Sequence, residues 1–278
     1  MSEPERLSIP QQLMRAGLRP KKKLGQNFLL DRNHLLKIVA AAELGDGERV
    51  LEVGPGTGVL TEALIGAGSR VVAVEFDGEL EGLLRDRFGE DGERFRLIIG
   101  DMLDGKHGLN RRMLEVLGEE PFKLVANLPY QIASPLLINL AERMPGMGLG
   151  VAMIQKEVAD RILAGPGSKA YGVLGILLQV VFEIELISRV PPGCFYPAPA
   201  VDSAVIRLRR RAEVAVSDLG SFAGLLHRLF GQRRKQLGSV LGRDRAWPEG
   251  VGAAQRPEEL SVDDLVRLHR TVVDKPAG

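Results

Sequence analysis

Between residues 49 and 155 the chain alternates short runs rich in valine, leucine and isoleucine with longer stretches whose apolar residues recur every three or four positions. Runs of the first kind suit strands buried on both faces, and stretches of the second kind suit helices packed against them. The alternation therefore predicts βαβ units and a mostly parallel sheet. Strands are predicted at 49–53, 70–75, 95–99, 123–126 and 150–155, with two more at 183–189 and 203–209, and helices near 33–43, 58–67, 78–88, 133–143 and 156–164. Beyond Arg211 the strand signal stops. Phe222, Leu225, Leu226, Leu229 and Phe230, then Leu237, Val240 and Leu241, fall at helical spacing. Ser261, followed by Asp263 and Asp264, reads as the N-cap and acidic first turn of a last helix. No internal repeat is visible. The predicted organisation is a basic N-terminal segment at 1–32, an α/β domain at 33–211 and a small helical domain at 212–278.

The 278 residues, 45% apolar and 26% charged, are those of a folded chain long enough for two hydrophobic cores. No apolar run approaches a membrane span, and the start Met1-Ser2-Glu3-Pro4 lacks the basic-then-apolar pattern of a secretory leader. The expected location is the cytoplasm, away from membranes. Cys194 is the single cysteine, and the four histidines, His34, His107, His227 and His269, lie far apart, so neither a disulfide nor a metal centre is expected. The net charge of +1 conceals a division. Residues 1–37 carry eight Lys/Arg against three Asp/Glu, residues 207–245 carry ten against three, and the remainder carries −11. Two basic segments around an acidic middle suit a protein that binds a polyanion.

The sharpest local signal is Glu52-Val53-Gly54-Pro55-Gly56-Thr57-Gly58, where a predicted strand ends in glycines and a helix begins. Such a turn lets the backbone approach a ligand closely. A dinucleotide fingerprint needs glycine at position 59, which is valine. The E-x-G-x-G-x-G spacing instead resembles motif I of the class I S-adenosylmethionine-dependent methyltransferases. Glu75 ends the second strand, where a carboxylate accepts from both ribose hydroxyls, and Asp101, before Met102, follows the third, within reach of an adenine amine. Gly54, Gly56, Glu75 and Asp101 thus converge at successive strand ends, where open α/β sheets bind ligands.

The fourth strand runs into Asn127-Leu128-Pro129-Tyr130. An exocyclic adenine amine is a weak nucleophile because its lone pair is conjugated with the ring. Acceptors must hold its hydrogens and aim the lone pair; the Asn127 oxygen and the carbonyl before Pro129 supply them, and Tyr130 offers a face for a flipped base. To these motifs the chain adds Lys23–Leu29 (Lys-Leu-Gly-Gln-Asn-Phe-Leu), Gln155–Arg161, Tyr171-Gly172, Val190–Pro199, Val201–Val205 and Gln232–Lys235. In this ordered set, from about residue 21 to 240, the sequence resembles the small-subunit ribosomal RNA adenine dimethyltransferase family.

The resemblance implies a Rossmann-like seven-stranded sheet with its last strand antiparallel and an all-helical C-terminal domain. It implies that Asn27, Leu29, Gly54, Gly56, Glu75, Asp101, Met102 and Asn127 contact S-adenosylmethionine, that S-adenosylhomocysteine is the product, and that Phe195 stacks on the target base opposite Tyr130. The implied reaction dimethylates N6 of two adjacent adenosines near the 3′ end of 16S RNA, by a monomer acting on an immature 30S particle. Lys21, Lys22, Lys23, Arg209, Arg210, Arg211, Arg233, Arg234 and Lys235 are the expected phosphate contacts; Lys23 with Gln26–Leu29 reads alternatively as a lid over the cofactor. Two departures stand out: Gln131-Ile132-Ala133-Ser134 replaces the usual Asn-Ile-Ser/Thr, and Ala200 replaces a basic residue. The rivals are a large-subunit adenine methyltransferase, a non-catalytic assembly factor and a nicotinamide oxidoreductase. The Val190–Pro199 segment, the intact Asn127 and Val59 respectively argue against them.

Overall fold

Val50, Leu51, Val125, Ala126, Val151 and Ala152 are consecutive pairs along three strands, and all six are completely buried, as strands covered on both faces require. The computed structural model of the protein describes residues 7–89, 92–105 and 108–273; His107 and the first six residues, both weighed in the sequence reading, lie outside these. Seven strands form one sheet: β1 (Arg49–Val53), β2 (Arg70–Glu75), β3 (Phe95–Ile99), β4 (Phe122–Asn127), β5 (Met147–Gln155), β6 (Phe182–Val190) and β7 (Ser203–Arg210). Their order is β3-β2-β1-β4-β5-β7-β6. Strands β1 to β5 run parallel, and β7 returns antiparallel to β5, with Ser203 opposite Gln155 and Arg209 opposite Leu149. This is the predicted α/β class with its antiparallel final strand, and each predicted strand is present within a few residues of its expected bounds.

The helices among the described residues are α1 (Ile9–Arg15), α2 (Arg32–Ala41), α3 (Val59–Gly66), α4 (Glu81–Phe88), α5 (Arg111–Leu117), α6 (Ala133–Arg143), α7 (Lys156–Leu163), α8 (Val173–Val181), α9 (Leu219–Phe230), α10 (Leu237–Leu241) and α11 (Val262–Val273). Local chemistry sets several starts. Asp31 accepts from the His34 amide at 2.9 Å, Asn110 from Met113 at 2.9 Å and Asp218 from Ser221 at 2.9 Å. Ser261 Oγ accepts from the Asp264 amide at 3.1 Å while Asp264 accepts from the Ser261 amide at 3.0 Å, a reciprocal cap at the predicted serine. The sequence reading has no counterpart for α1, α5 and α8. Helix α8 is apolar all round except Gln179, and Leu174, Ile176, Leu177, Leu178, Val180 and Val181 are all buried, so no amphipathic period marks it.

The chain divides into two compact units: Met1–Ala159 with Glu185–Arg209, and Asp160–Ile184 with Arg210–Gly278. The change from strand to helix pattern near 211 marks the last crossing. The crossings near 160 and 184 leave no such mark, since an apolar helix there follows an amphipathic one. In the second unit Tyr171 is buried, donates its hydroxyl to the Leu260 carbonyl at 2.9 Å and meets Phe230 edge-on with ring centres 5.9 Å apart. Burial pushes that phenol far above its ordinary pKa. The first unit carries the C-terminal ends of β1 to β4, where the sequence places the chemistry.

Candidate active site

Strand β1 ends at Val53, and the next five residues turn through three glycines with positive φ before α3 begins. Two of them have no substitute. Gly56 has φ +62°, and a Cβ there would stand 2.9 Å from the Phe28 ring. Gly58 has φ +79°, and its Cβ would stand 2.4 Å from Phe88. The turn therefore needs bare backbone for its own conformation and because side chains pass directly over it.

The Gly56 amide donates to Glu75 Oε2 at 3.1 Å and the Asp77 amide to Glu75 Oε1 at 2.8 Å. Both oxygens of this acid, 5% exposed, are thus oriented by backbone with lone pairs to spare. Burial is the largest influence on Glu75 and raises its pKa against those bonds. Asp101, at the end of β3, accepts from the Leu103 amide at 2.9 Å, and Met102 beside it is buried.

Asn127 ends β4. Its side-chain amide donates one N–H to the Asn27 carbonyl at 3.1 Å, which orients the carboxamide. The Tyr130 hydroxyl shares a hydrogen bond of 2.7 Å with Ser203 Oγ, and Ser203 is completely buried at the start of β7. One crevice of the first unit is lined by Asn27, Leu29, Gly54, Gly56, Glu75, Asp101, Met102, Asn127, Leu128, Pro129 and Tyr130, so every residue expected to touch cofactor lies on it.

Phe195 is placed otherwise. It pairs with Leu29 in a two-residue ribbon, is 4% exposed in the apolar core and is absent from the crevice wall, while neighbouring Tyr196 is 37% exposed. Side chains alternate along a strand, and this one turns Phe195 inward.

The basic residues separate into three kinds. Lys21 is ion-paired with Asp77 and Glu79, whereas Lys22 and Lys23 are exposed on a turn. Arg209 reaches Glu43 at 2.6 Å beside Leu149, at the opposite end of the sheet from Asn127; Arg210 lies over the Phe182 ring at 5.0 Å; Arg211 donates to the Gln179 carbonyl at 3.1 Å. In the second unit Arg233 holds Glu258 at 2.6 Å and the Lys169 carbonyl at 3.1 Å, while Arg234 and Lys235 are exposed.

Three residues on or beside the crevice, Phe76, Asp77 and Ser203, have no role in the sequence reading, and a fourth, Glu52, enters it only as the first residue of the glycine motif. Phe76, 58% exposed, follows Glu75 on the wall. Glu52 is 1% exposed, accepts from Thr61 Oγ1 at 2.7 Å and is pushed up to about 8 by burial, with the nearby Glu75 charge adding to the shift. Asp77 and Ser203 orient Glu75 and Tyr130. Glu52 stands in β1 two residues before the first glycine, whereas the roles of Asp77 and Ser203 depend on contacts distant in sequence.

The donor set fits an adenosyl sulfonium. Two acids lie at successive strand ends, a backbone cradle leaves no room for a Cβ, and among the described residues no basic side chain lines the crevice to oppose a cation. Among the described residues no three His, Cys, Asp or Glu side chains stand together as metal ligands would.

Comparison with known proteins gives the same picture. The chain is 40% identical over 265 residues to the ribosomal RNA small subunit methyltransferase A of Geobacter sulfurreducens, covering 91% of this chain and 95% of the relative. With the protein of that name from Thermosynechococcus vestitus it shares 41% over 266 residues, covering 90% and 96%. Among solved structures, a dimethyladenosine transferase from Plasmodium falciparum shares the fold with a TM-score of 0.72 at 24% identity, covering 87% of this chain and 95% of that one. The 23S rRNA methyltransferase ErmE superposes with a TM-score of 0.67 at 27% identity, over 89% and 100%. The profile of the ribosomal RNA adenine dimethylase family matches residues 17–272, nearly the whole chain, and to that family the protein belongs.

Proposed function

We propose that the protein transfers methyl groups from S-adenosylmethionine to N6 of adenosine in small-subunit ribosomal RNA, twice per base, on two adjacent adenosines near the 3′ end of 16S RNA. The observation that carries the reading is the joining of Asn127–Tyr130 to Glu75, Asp101 and the glycine turn on one crevice. When bound, the cofactor supplies a methyl on a positively charged sulfur, already activated for transfer. The protein's task is then positioning and exclusion of water. Glu75 and Asp101 fix the nucleoside end. The Asn127 oxygen and the Leu128 carbonyl accept the two amine hydrogens, so that the lone pair turns out of conjugation toward the methyl. Tyr130, anchored by Ser203, bounds the flipped base. The amine proton becomes acidic as the bond forms and leaves to solvent, so no strong base is required.

In this reading residues 1–32 serve as the lid segment and the first unit as the methyltransferase domain; the helical domain, expected at 212–278, also takes in Asp160–Ile184. The exposed Lys22, Lys23, Arg234 and Lys235 are the first candidates for phosphate contacts, and a cytoplasmic monomer acts on an immature 30S particle. Few side chains on the crevice could read base sequence, which is why an assembling particle, supplying shape, suits the specificity better than free RNA. The test is transfer of labelled methyl to unmethylated small subunits, deproteinised 16S RNA and large subunits. Dimethyladenosine formed fastest on the particle supports the reading. Equal rates on naked RNA remove the particle requirement, and labelling of large subunits alone overturns the substrate.

A further inference from the structure

Residues 21–29 form a strap along the crevice, and its two ends are held by different chemistry. At one end Phe28–Leu29 pairs antiparallel with Phe195–Tyr196, and the Asn27 carbonyl accepts from Asn127. At the other end the attachment converges on a single carboxylate. Lys21 Nζ lies 2.7 Å from Asp77 Oδ1, and Gln26 Nε2 donates to Asp77 Oδ2 at 2.7 Å. Gln26 Oε1 in turn accepts from the Lys21 amide at 2.8 Å, which closes the strap on itself. Glu79 adds a second carboxylate 2.9 Å from the lysine.

Asp77 is only 6% exposed, and its carboxylate is met by Lys21 and Gln26 of the strap and by the Glu79 amide, which donates to Oδ1 at 3.1 Å. The same residue's amide donates to Glu75 Oε1, the acid assigned to the ribose. The strap's carboxylate and the Glu75 anchor thus sit on one residue, two positions beyond the end of β2.

We propose that Asp77 is a positioning residue that fastens the 21–29 strap over the cofactor crevice, so that strap closure, Glu75 orientation and cofactor retention change together. The proposal rests on the crevice being the S-adenosylmethionine site. Lys21, counted by its charge among the phosphate contacts, then serves the cofactor instead.

The test uses the full chain with Asp77→Asn, Lys21→Met and the double variant. Three quantities are read: trypsin cleavage after Lys22 and Lys23 without ligand, the Kd of S-adenosylhomocysteine by calorimetry, and KM for S-adenosylmethionine against kcat. Each single variant is expected to speed cleavage and to weaken cofactor binding roughly tenfold, the scale of one lost charge-assisted hydrogen bond, with KM rising and kcat nearly kept. The double variant is expected to be no worse than the weaker single one, because both break one pair. Native cleavage and native Kd in the Lys21→Met variant, with weakened binding to small subunits, would overturn the proposal and make Lys21 a phosphate contact. Should Asp77→Asn melt far below the native chain, the half-exposed Lys21→Met still decides the matter. If the native chain took up no S-adenosylhomocysteine, the cofactor reading would fall, while the ligand-free cleavage rates would still report whether the pair holds the strap.

Discussion

The two ends of the β7 strand teach different lessons about the same protein. At Ser203 the strand meets the crevice, and its hydroxyl is spent on Tyr130 of the Asn127–Tyr130 loop. At Arg207 and Arg209, beside the opposite edge of the parallel strands, the side chains are spent on Glu43 and Glu185. Only the arginine end looked functional in sequence, yet only the Ser203 end faces the residues that gather at the strand ends. Charge density reports what a segment could bind; position in the sheet reports what it can reach. The acidic character of the middle of the chain is part of the reason, since several of its carboxylates pair with the basic segments inside the protein.

The comparison is broken most severely at Glu75. Glu75→Ala removes the ribose acceptor and leaves the Gly56 and Asp77 amides without their partner, and it is expected to weaken S-adenosylhomocysteine binding by about 100-fold, measured by calorimetry. A loss below threefold would remove Glu75 from the cofactor site.

A second effect concerns stability. Glu52 sits near 8 in the folded protein against an ordinary value near 4.5, so between these limits the unfolded chain is ionised while the folded one keeps its proton. Folding then takes up a proton, and the native chain loses stability as pH rises from 4.5 to 8. Glu52→Gln keeps an acceptor for Thr61 and removes the titration. Its stability relative to the native chain should rise by about 1.4 kcal/mol between pH 6 and pH 7 in urea titrations. A difference that does not change with pH contradicts the buried neutral acid.

Smaller effects sharpen the contrast between the strand ends. Ser203→Ala strips the half-buried Tyr130 of its partner and should lower kcat roughly fivefold, with a larger share of monomethylated product and an unchanged Kd for S-adenosylhomocysteine. Ser203→Thr, which restores a hydroxyl, should recover most of the loss. Arg209→Ala should change little: about 0.5 kcal/mol or less of stability from an exposed ion pair, and a salt dependence of subunit binding close to native. A salt slope reduced by about one unit would return Arg209 to the phosphate contacts.

What was readable in advance follows from what is local. Strands β1 to β5 announced themselves as short runs dominated by buried apolar residues, broken only by single charges such as Glu52, Arg96 and Lys123, and the glycine turn, Glu75, Asp101 and Asn127 because each closes or follows such a run. Helix α8 was hidden by the same burial, which erases the helical period along Val173–Val181. Phe195 carries a motif that resemblance explains, yet nothing local says that its ring turns into the core while Tyr196 faces out. Asp77 and Ser203 were invisible as working residues because their partners, Lys21 and Tyr130, stand 56 and 73 positions away. The same holds for the arginines: a run of positive charge is local, whereas the carboxylate that neutralises Arg209 lies 166 positions earlier.

The central claim is that methylation is carried out at the strand-end crevice by the Asn127 loop. It is tested most directly by incubating Asn127→Ala and the native protein with S-adenosylmethionine and unmethylated small subunits and quantifying the nucleosides by mass spectrometry, with S-adenosylhomocysteine affinity measured in parallel. The account predicts that the variant binds S-adenosylhomocysteine within about tenfold of native, since it loses one bond to the strap, and that dimethyladenosine falls at least roughly 100-fold. Dimethyladenosine formed at the native rate by the variant would contradict it.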